Sequence, residues 1–264
     1  VKDRPLIGLA LGSGGARGIA HIGVLEVLEE QGIPVDFISG SSVGALIGSL
    51  FAGGQSVADL RKIASLFRRK YYIDFTVPKM GFVTGKRLEE LFFMLTKGES
   101  LENLQTPVSV VATDLNSGER VLLTEGSIAK AVRASVSIPG IFVPYRYGDH
   151  LLVDGGVIDR VPASVVTEMG ADIVLAVDVS YFPEKPANET IYDVIMHSME
   201  IMSRELVRAK QINADILMEP IGEERNAIVF EDAEALVQQG REEAERVLPR
   251  ILEKIEAWKG RDHE

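Results

Sequence analysis

Asp36-Phe-Ile-Ser-Gly-Ser-Ser-Val-Gly-Ala-Leu-Ile-Gly-Ser-Leu-Phe-Ala-Gly-Gly54 is the stretch on which the reading of this chain turns. Gly40-Ser41-Ser42-Val43-Gly44 fits the pattern G-x-S-x-G. The short apolar run Phe37-Ile38 precedes it, and a small-residue helical pattern, Ala45 to Ala52, follows. Strand, tight turn and helix form the setting of a nucleophile elbow, which lifts a serine hydroxyl to the top of a sheet at a helix N-terminus. Glycines on both sides of Ser42 permit a strained turn and a close approach of neighbouring backbone. Ser42 is therefore a candidate nucleophile. The bland alternative makes it the N-cap of a small-residue helix.

Upstream, Leu6 to Leu11 is an apolar run without polar alternation, which suits a buried parallel strand. Gly12-Ser-Gly-Gly-Ala-Arg-Gly18 follows. A helical pattern then runs from Ile19 to Gln31, with Ile22, Leu25 and Leu28 on one face and Gly32 as its stop. Pro34 to Ile38 is the next strand, so the first two strands should be parallel. The glycine loop fails as a dinucleotide fingerprint, because the third glycine of G-x-G-x-x-G would fall on Arg17 and arrives only at Gly18. It also lacks the Gly-Lys-Ser/Thr ending of a Walker loop. What remains is either a tight turn or a nest of amides near a helix N-terminus, suited to an anion or a developing oxyanion.

Downstream, Ser56 is expected to cap a helix with Asp59 in its first turn. Residues 71 to 85 have no clean period, and Lys86 to Lys97 reads as a helix with Leu88, Leu91, Phe92 and Leu95 inward. Pro107 to Asp114 and Glu119 to Thr124 read as a hairpin about Asn116-Ser-Gly118, and Ser127 to Ala134 as a short helix. Ile141 to Tyr147 and His150 to Val153 read as a second hairpin, closed by Asp154-Gly155-Gly156. Arg160 to Met169 is helical with Pro162 in its first turn. Asp172 to Val179 is the clearest buried strand. Thr190 to Gln211 is a long helix, Ala214 to Met218 a strand, and Glu231 to Trp258 a long helix that Pro249 should kink or interrupt. Interleaved strands and helices, with no repeat or linker, imply one α/β domain over residues 1–264, with a mostly parallel sheet and helices on both faces.

The 264 residues carry 28 Lys and Arg against 39 Asp and Glu, a net charge of −11, which argues against a nucleic-acid partner. The absence of cysteine removes disulfides and thiolate chemistry and is compatible with a reducing compartment. No signal-peptide pattern and no membrane-span length of apolar residues is visible, so a cytoplasmic location is expected. Nothing in the sequence specifies an oligomeric state.

A serine nucleophile needs a base. Of the four histidines, His263 lies in a polar tail, His197 in the middle of a helix, His21 in the first turn after the glycine loop and His150 beside a hairpin turn. None sits on a loop behind a late strand, where an α/β-hydrolase places its base. Asp154-Gly155-Gly156 read alone is turn chemistry. With no suitable histidine, however, Asp154 becomes a candidate base, since a desolvated carboxylate within hydrogen-bond reach of a hydroxyl can take its proton.

The glycine loop ending in Arg17-Gly18, the elbow around Ser42 and the distant Asp-Gly-Gly together resemble the patatin-like phospholipase family, in particular its small bacterial members. Arg133-Ala-Ser-Val-Ser-Ile-Pro-Gly-Ile-Phe-Val-Pro144 also resembles a family segment, and the likeness runs from about Ile7 to Val179. The resemblance implies a serine–aspartate dyad of Ser42 and Asp154, no metal and no cofactor, and an oxyanion hole in the glycine loop. The family pattern Gly-Gly-Gly-x-Arg/Lys-Gly falls on Ser13-Gly14-Gly15-Ala16-Arg17-Gly18, with Ser13 in place of the first glycine. Gly14, Gly15 and Ala16 are then the expected amide donors, and Arg17 and Gly18 support the loop. The implied activity is hydrolysis of a lipid acyl ester. A soluble esterase or thioesterase, or a weakly catalytic regulatory protein on the same fold, are the competing functions.

Residues 61 to 95 gather Arg61, Lys62, Arg68, Arg69 and Lys70 with seven of the sixteen Phe and Tyr residues. Cations beside aromatic rings suit a surface that meets lipid, so a cap over 68–97 with peripheral membrane contact is one expectation. A solvated helix face followed by core aromatics is the other.

Overall fold

The computed structural model describes residues 3–66, 74, 80–181, 190–221 and 232–259. Ten strands are described: β1 (Ile7–Leu11), β2 (Phe37–Ser41), β3 (Gly81–Val83), β4 (Val108–Asp114), β5 (Arg120–Leu123), β6 (Gly140–Phe142), β7 (Tyr145–Tyr147), β8 (His150–Asp154), β9 (Ile173–Val177) and β10 (Ile216–Met218). Eight helices accompany them: α1 (Ala20–Glu30), α2 (Val43–Ala52), α3 (Val57–Leu66), α4 (Lys86–Leu95), α5 (Ile128–Ser135), α6 (Ala163–Glu168), α7 (Ile191–Lys210) and α8 (Ala233–Lys259). The main sheet has the order β10-β9-β1-β2-β4-β8-β7, with β5 also paired to β4. β10, β9, β1, β2 and β4 are mutually parallel, and β5, β8 and β7 join by antiparallel pairing.

The period-two geometry of β1 and β9 divides the core. Ile7, Leu9, Leu11, Ile173, Leu175 and Val177 face one layer, which includes α1, α2 and α8, while Ala10, Val174 and Ala176 face α6 on the other. The expected α/β domain with helices on both faces is what forms. α1 is more enclosed than a one-faced helix, because α8 covers its outer side and residues Ala20 to Leu25 are all buried. The crossing is backbone on backbone: a Cβ on Gly23 would stand 1.9 Å from the Val237 carbonyl oxygen, and one on Gly240 would stand 1.8 Å from that of Ala20.

Three local expectations need correction. The run Ile141 to Tyr147 is not one strand: the hairpin joins β7 to β8, while β6 leaves to pair in parallel with β3. Pro144 has no amide to continue a ladder, and the Val143 carbonyl is taken by Arg133 Nη2 at 3.0 Å. Helix α6 begins only at Ala163, and Arg160 lies in the preceding turn. Helix α8 runs through Pro249 without interruption; Pro249 and Glu245, whose carbonyl loses its donor, are both exposed to water.

Of the expected cap, 68–97, only residue 74 and residues 80–97 lie within the described part; Arg68, Arg69 and Lys70 lie outside it. Arg61 is a structural cation, bonded to Glu26 at 2.7 Å and Glu234 at 2.8 Å. Phe92 is buried, whereas Phe82, Phe93 and Met94 are exposed. The start of this segment is pinned by Arg133, which is 2% exposed. Its guanidinium donates to the carbonyls of Gly85 (3.0 Å), Thr84 (2.7 Å) and Val143 (3.0 Å) and to Ser137 Oγ (2.5 Å). Arg133→Ala would strand several buried acceptors and leave a void, so a loss of roughly 3–5 kcal/mol is expected in urea unfolding.

Candidate active site

The turn after β2 places Ser42 at φ 54°, ψ −121°, outside the broad regions open to non-glycine residues. Gly40 and Gly44 make the turn feasible. A Cβ on Gly40 would stand 2.5 Å from the Ala45 backbone, and one on Gly44 would stand 2.1 Å from the Leu11 carbonyl. Ser42 occupies the N-cap position of α2, yet its side chain makes no capping bond. Its Oγ instead donates to Asp154 Oδ2 at 2.7 Å, across 112 residues of sequence. The Ser42 amide donates to Ser135 Oγ (2.8 Å), which in turn donates to the Val111 carbonyl (2.6 Å), so the strained residue is held from the end of α5.

The register explains the meeting. β5 occupies one edge of β4 along Val110 to Thr113, so β2 and β8 must share the other edge. β2 runs parallel to β4 and ends with Ser41 opposite Val111; β8 runs antiparallel and ends with Asp154 opposite Ala112. The two strands therefore abut with their C-terminal ends on adjacent rungs. Gly155 lets the chain leave the junction, since a Cβ there would stand 2.3 Å from the Val111 carbonyl and 2.6 Å from Ser41 Oγ.

Asp154 is 4% exposed. Its Oδ1 accepts from the Gly156 amide at 2.8 Å, and Thr113 Oγ1 donates to its carbonyl at 2.9 Å. Burial is the largest influence on its carboxyl and pushes the pKa up to about 6, against the opposing pull of the bonds from Ser42 and Gly156 and of the Arg160 charge. The Asp-Gly-Gly segment is thus a turn held by its own side chain and also the partner of Ser42.

The glycine loop lies against both. The amides of Gly12 and Ser13 donate to the carbonyls of Val177 (3.0 Å) and Arg160 (2.9 Å). Ser13, where the family pattern has glycine, donates from Oγ to Ser41 Oγ at 3.0 Å. A Cβ on Gly14 would meet Val179 Cγ2 at 2.5 Å, and Gly15 has φ +59°, so the first needs space and the second needs a left-handed backbone. A 3-10 turn, Gly15–Ile19, follows, so the amides of Gly14, Gly15 and Ala16 precede its first internal bond. Gly18 packs on Val43, next to the serine, with 2.2 Å between its would-be Cβ and Val43 Cγ1. Arg17 donates from Nε to the Gly14 carbonyl (3.2 Å) and from Nη1 to that of Tyr181 (3.2 Å), and pairs through Nη2 with Glu200 Oε1.

The family model described as patatin-like phospholipase matches residues 9–167, which span the glycine loop, the elbow and the Asp-Gly-Gly turn. The chain belongs to the patatin-like phospholipase family. An NTE family protein of Mycobacterium tuberculosis is 34% identical over 205 residues, covering 77% of this chain and 57% of the relative. The patatin-like phospholipase domain-containing protein 7 of Rattus norvegicus is 38% identical over 181 residues, covering 66% of this chain and 13% of the relative. The chain therefore spans little more than half of the first relative and about an eighth of the second. VipD from Legionella pneumophila shares the fold, with a TM-score of 0.63 at 16% identity over 94% of this chain and 67% of that one.

None of the described histidines is hydrogen-bonded to Ser42. His21 is buried, and Nε2 donates to the Gly12 carbonyl at 2.9 Å; burial pushes its pKa down to about 4, so it is a neutral structural donor at pH 7. His150 Nδ1 lies 3.0 Å from Asp114. His263 is outside the described residues. Sequence reasoning missed Ser135 and Glu200. Ser135 lies inside the segment Arg133–Pro144 that carried part of the resemblance, which was its signal; Glu200 is one acid among several on a long helix and had none. Among the described residues there is no cluster suited to a metal ion and no helix long and apolar enough to cross a membrane.

Proposed function

We propose that the chain is a serine acyl hydrolase acting on carboxylic esters of lipids, of phospholipase A or lysophospholipase type, through a Ser42–Asp154 dyad. The observation that carries this reading is the 2.7 Å bond from Ser42 Oγ to a desolvated carboxylate whose other oxygen is fixed by the Gly156 amide. Asp154 takes the hydroxyl proton as Ser42 Oγ attacks the ester carbonyl carbon. The negative charge that develops on the carbonyl oxygen is met by the amides of Gly14, Gly15 and Ala16, each such donor being worth roughly 3–4 kcal/mol in the transition state. Collapse breaks the ester bond, and the Asp154 carboxylic acid protonates the leaving alcohol. Water then attacks the acyl-enzyme, Asp154 takes its proton and returns it to Ser42, and the free acid leaves.

The lipid class is supported by the family and by the phospholipase description of relatives such as the rat protein. The exposed Phe82, Phe93 and Met94 suit peripheral contact with a lipid surface. Fatty acid released from lysophosphatidylcholine or phosphatidylcholine vesicles tests the reading; hydrolysis of p-nitrophenyl butyrate without any lipid cleavage would replace it with a soluble esterase. The pH dependence has a defined sign. Asp154 must be ionised to act as base, so kcat/KM is expected to fall about tenfold per pH unit below an apparent pKa of about 6 and to level off above it. A pH–rate profile in p-nitrophenyl butyrate checks this.

A further inference from the structure

We infer that Glu200, with Ser203 one turn later on α7, is a positioning residue for the reaction proposed above, on which this inference rests. Both residues lie beyond the family match at 9–167. Glu200 and Ser203 are three residues apart on one face of α7, and both are buried, while Ile191, Val194, Ile201 and Met202 on the opposite face are exposed. Each buried residue reaches one half of the site. Glu200 pairs with Arg17, which grips the Gly14 carbonyl. Ser203 Oγ donates to the Gly156 carbonyl at 3.3 Å, and the Gly156 amide holds Asp154 Oδ1.

The grip on Gly14 has a geometric consequence. The Gly14 carbonyl and the Gly15 N–H belong to one planar peptide unit and point in opposite directions. Fixing the oxygen with Arg17 therefore fixes the direction in which the Gly15 amide donates. Arg17 in turn is held by Glu200: the nearby Arg160 carries a like charge, offset by Asp178, Glu200 and Asp154, and of these carboxylates Glu200 is the one that pairs with Arg17. Without it, Arg17 keeps only its 3.2 Å bonds to the Gly14 and Tyr181 carbonyls beside the like-charged Arg160, and its hold on the loop, next to the left-handed Gly15, weakens.

The test uses Glu200→Ala and Glu200→Gln with p-nitrophenyl butyrate, together with amide hydrogen exchange at Gly14, Gly15 and Ala16. For Glu200→Ala we expect kcat to fall roughly thirtyfold with KM within about twofold, less than the loss of a whole oxyanion donor. Gln still offers an oxygen to Arg17 and should recover part of kcat. Exchange at the three loop amides should quicken at least about tenfold in the Ala variant, while the strands keep their protection. A folded Glu200→Ala protein with wild-type kcat, a loss confined to KM, or unaltered loop exchange would overturn the inference. If that variant does not fold, Arg17→Met removes the same grip from the more exposed side and is read the same way. Hydrogen exchange needs no turnover. If the wild type cleaves no ester while Glu200→Ala still quickens loop exchange, the proposed reaction falls and what stands is that Glu200 holds the glycine loop.

Discussion

Asp154→Asn is expected to lower kcat for ester hydrolysis by a factor on the order of 10⁴ and Ser42→Ala by at least as much, since the members of such a unit fail together. Asparagine matches aspartate in size and can keep the bond from Gly156, so the loss would report proton transfer and not collapse of the turn. The same substitution should act on stability in the opposite direction. The folded-state pKa of Asp154, about 6, lies above the ordinary 3.8. Its contribution to stability is present below pH 3.8 and is lost as pH rises through about 6, so at pH 8 the buried carboxylate costs on the order of 3 kcal/mol. Asp154→Asn should therefore melt higher than wild type at pH 8 and lose that advantage near pH 4. Near-native turnover of Asp154→Asn in a steady-state assay would refute the dyad, and equal melting temperatures at pH 8 would refute the desolvation argument.

The second large effect is structural. In an exposed helix interior Gly→Ala is worth about 1 kcal/mol of added stability. For Gly240→Ala the sign should reverse, because the new methyl carbon would stand 1.8 Å from the Ala20 carbonyl oxygen, and backbone cannot step aside as a flexible side chain does. α1 and α8 would have to separate by more than 1 Å, opening contacts among Ile22, Leu25, Leu236 and Val237 in the same core. A loss of roughly 3–4 kcal/mol is expected, or a midpoint about 10 °C lower for a chain of this size. Urea unfolding of the single variant is sufficient; a variant as stable as wild type would mean that the two helices have room to spare.

Much of the site was legible because its chemistry is written in local spacing. Glycines at 40 and 44, the loop at 12–18 and Asp154-Gly-Gly each announce a backbone that side chains would obstruct, and the buried strands β1 and β9 announce themselves as unbroken apolar runs. What stayed hidden depends on distant partners. The pairing of β3 with β6 joins two three-residue strands far apart in the chain, too short for any period to appear. Arg133 stands at the end of a short expected helix, and its burial becomes intelligible only when three carbonyls from two loops converge on it. Gly23 and Gly240 were visible as mid-helix glycines, but their reason lies in each other's helix. The first-turn acid expected after Ser56 is borne out, with the Asp59 amide donating to Ser56 Oγ at 3.1 Å, because capping is settled within four residues.

The abutment of β2 and β8 on one edge of β4 makes that strand a ruler. The spacing of Ser42 and Asp154 is set by the single step from Val111 to Ala112. The length of chain that separates them does not enter. Segments inserted between α2 and β4 can therefore lengthen, shorten or change character without altering the distance between hydroxyl and carboxylate, whereas the turn after α5 cannot, because the Ser137 carbonyl accepts the Asp154 amide at 3.0 Å. Such inserted segments are free to diversify around a hydroxyl–carboxylate pair whose gauge is one peptide unit of a buried strand.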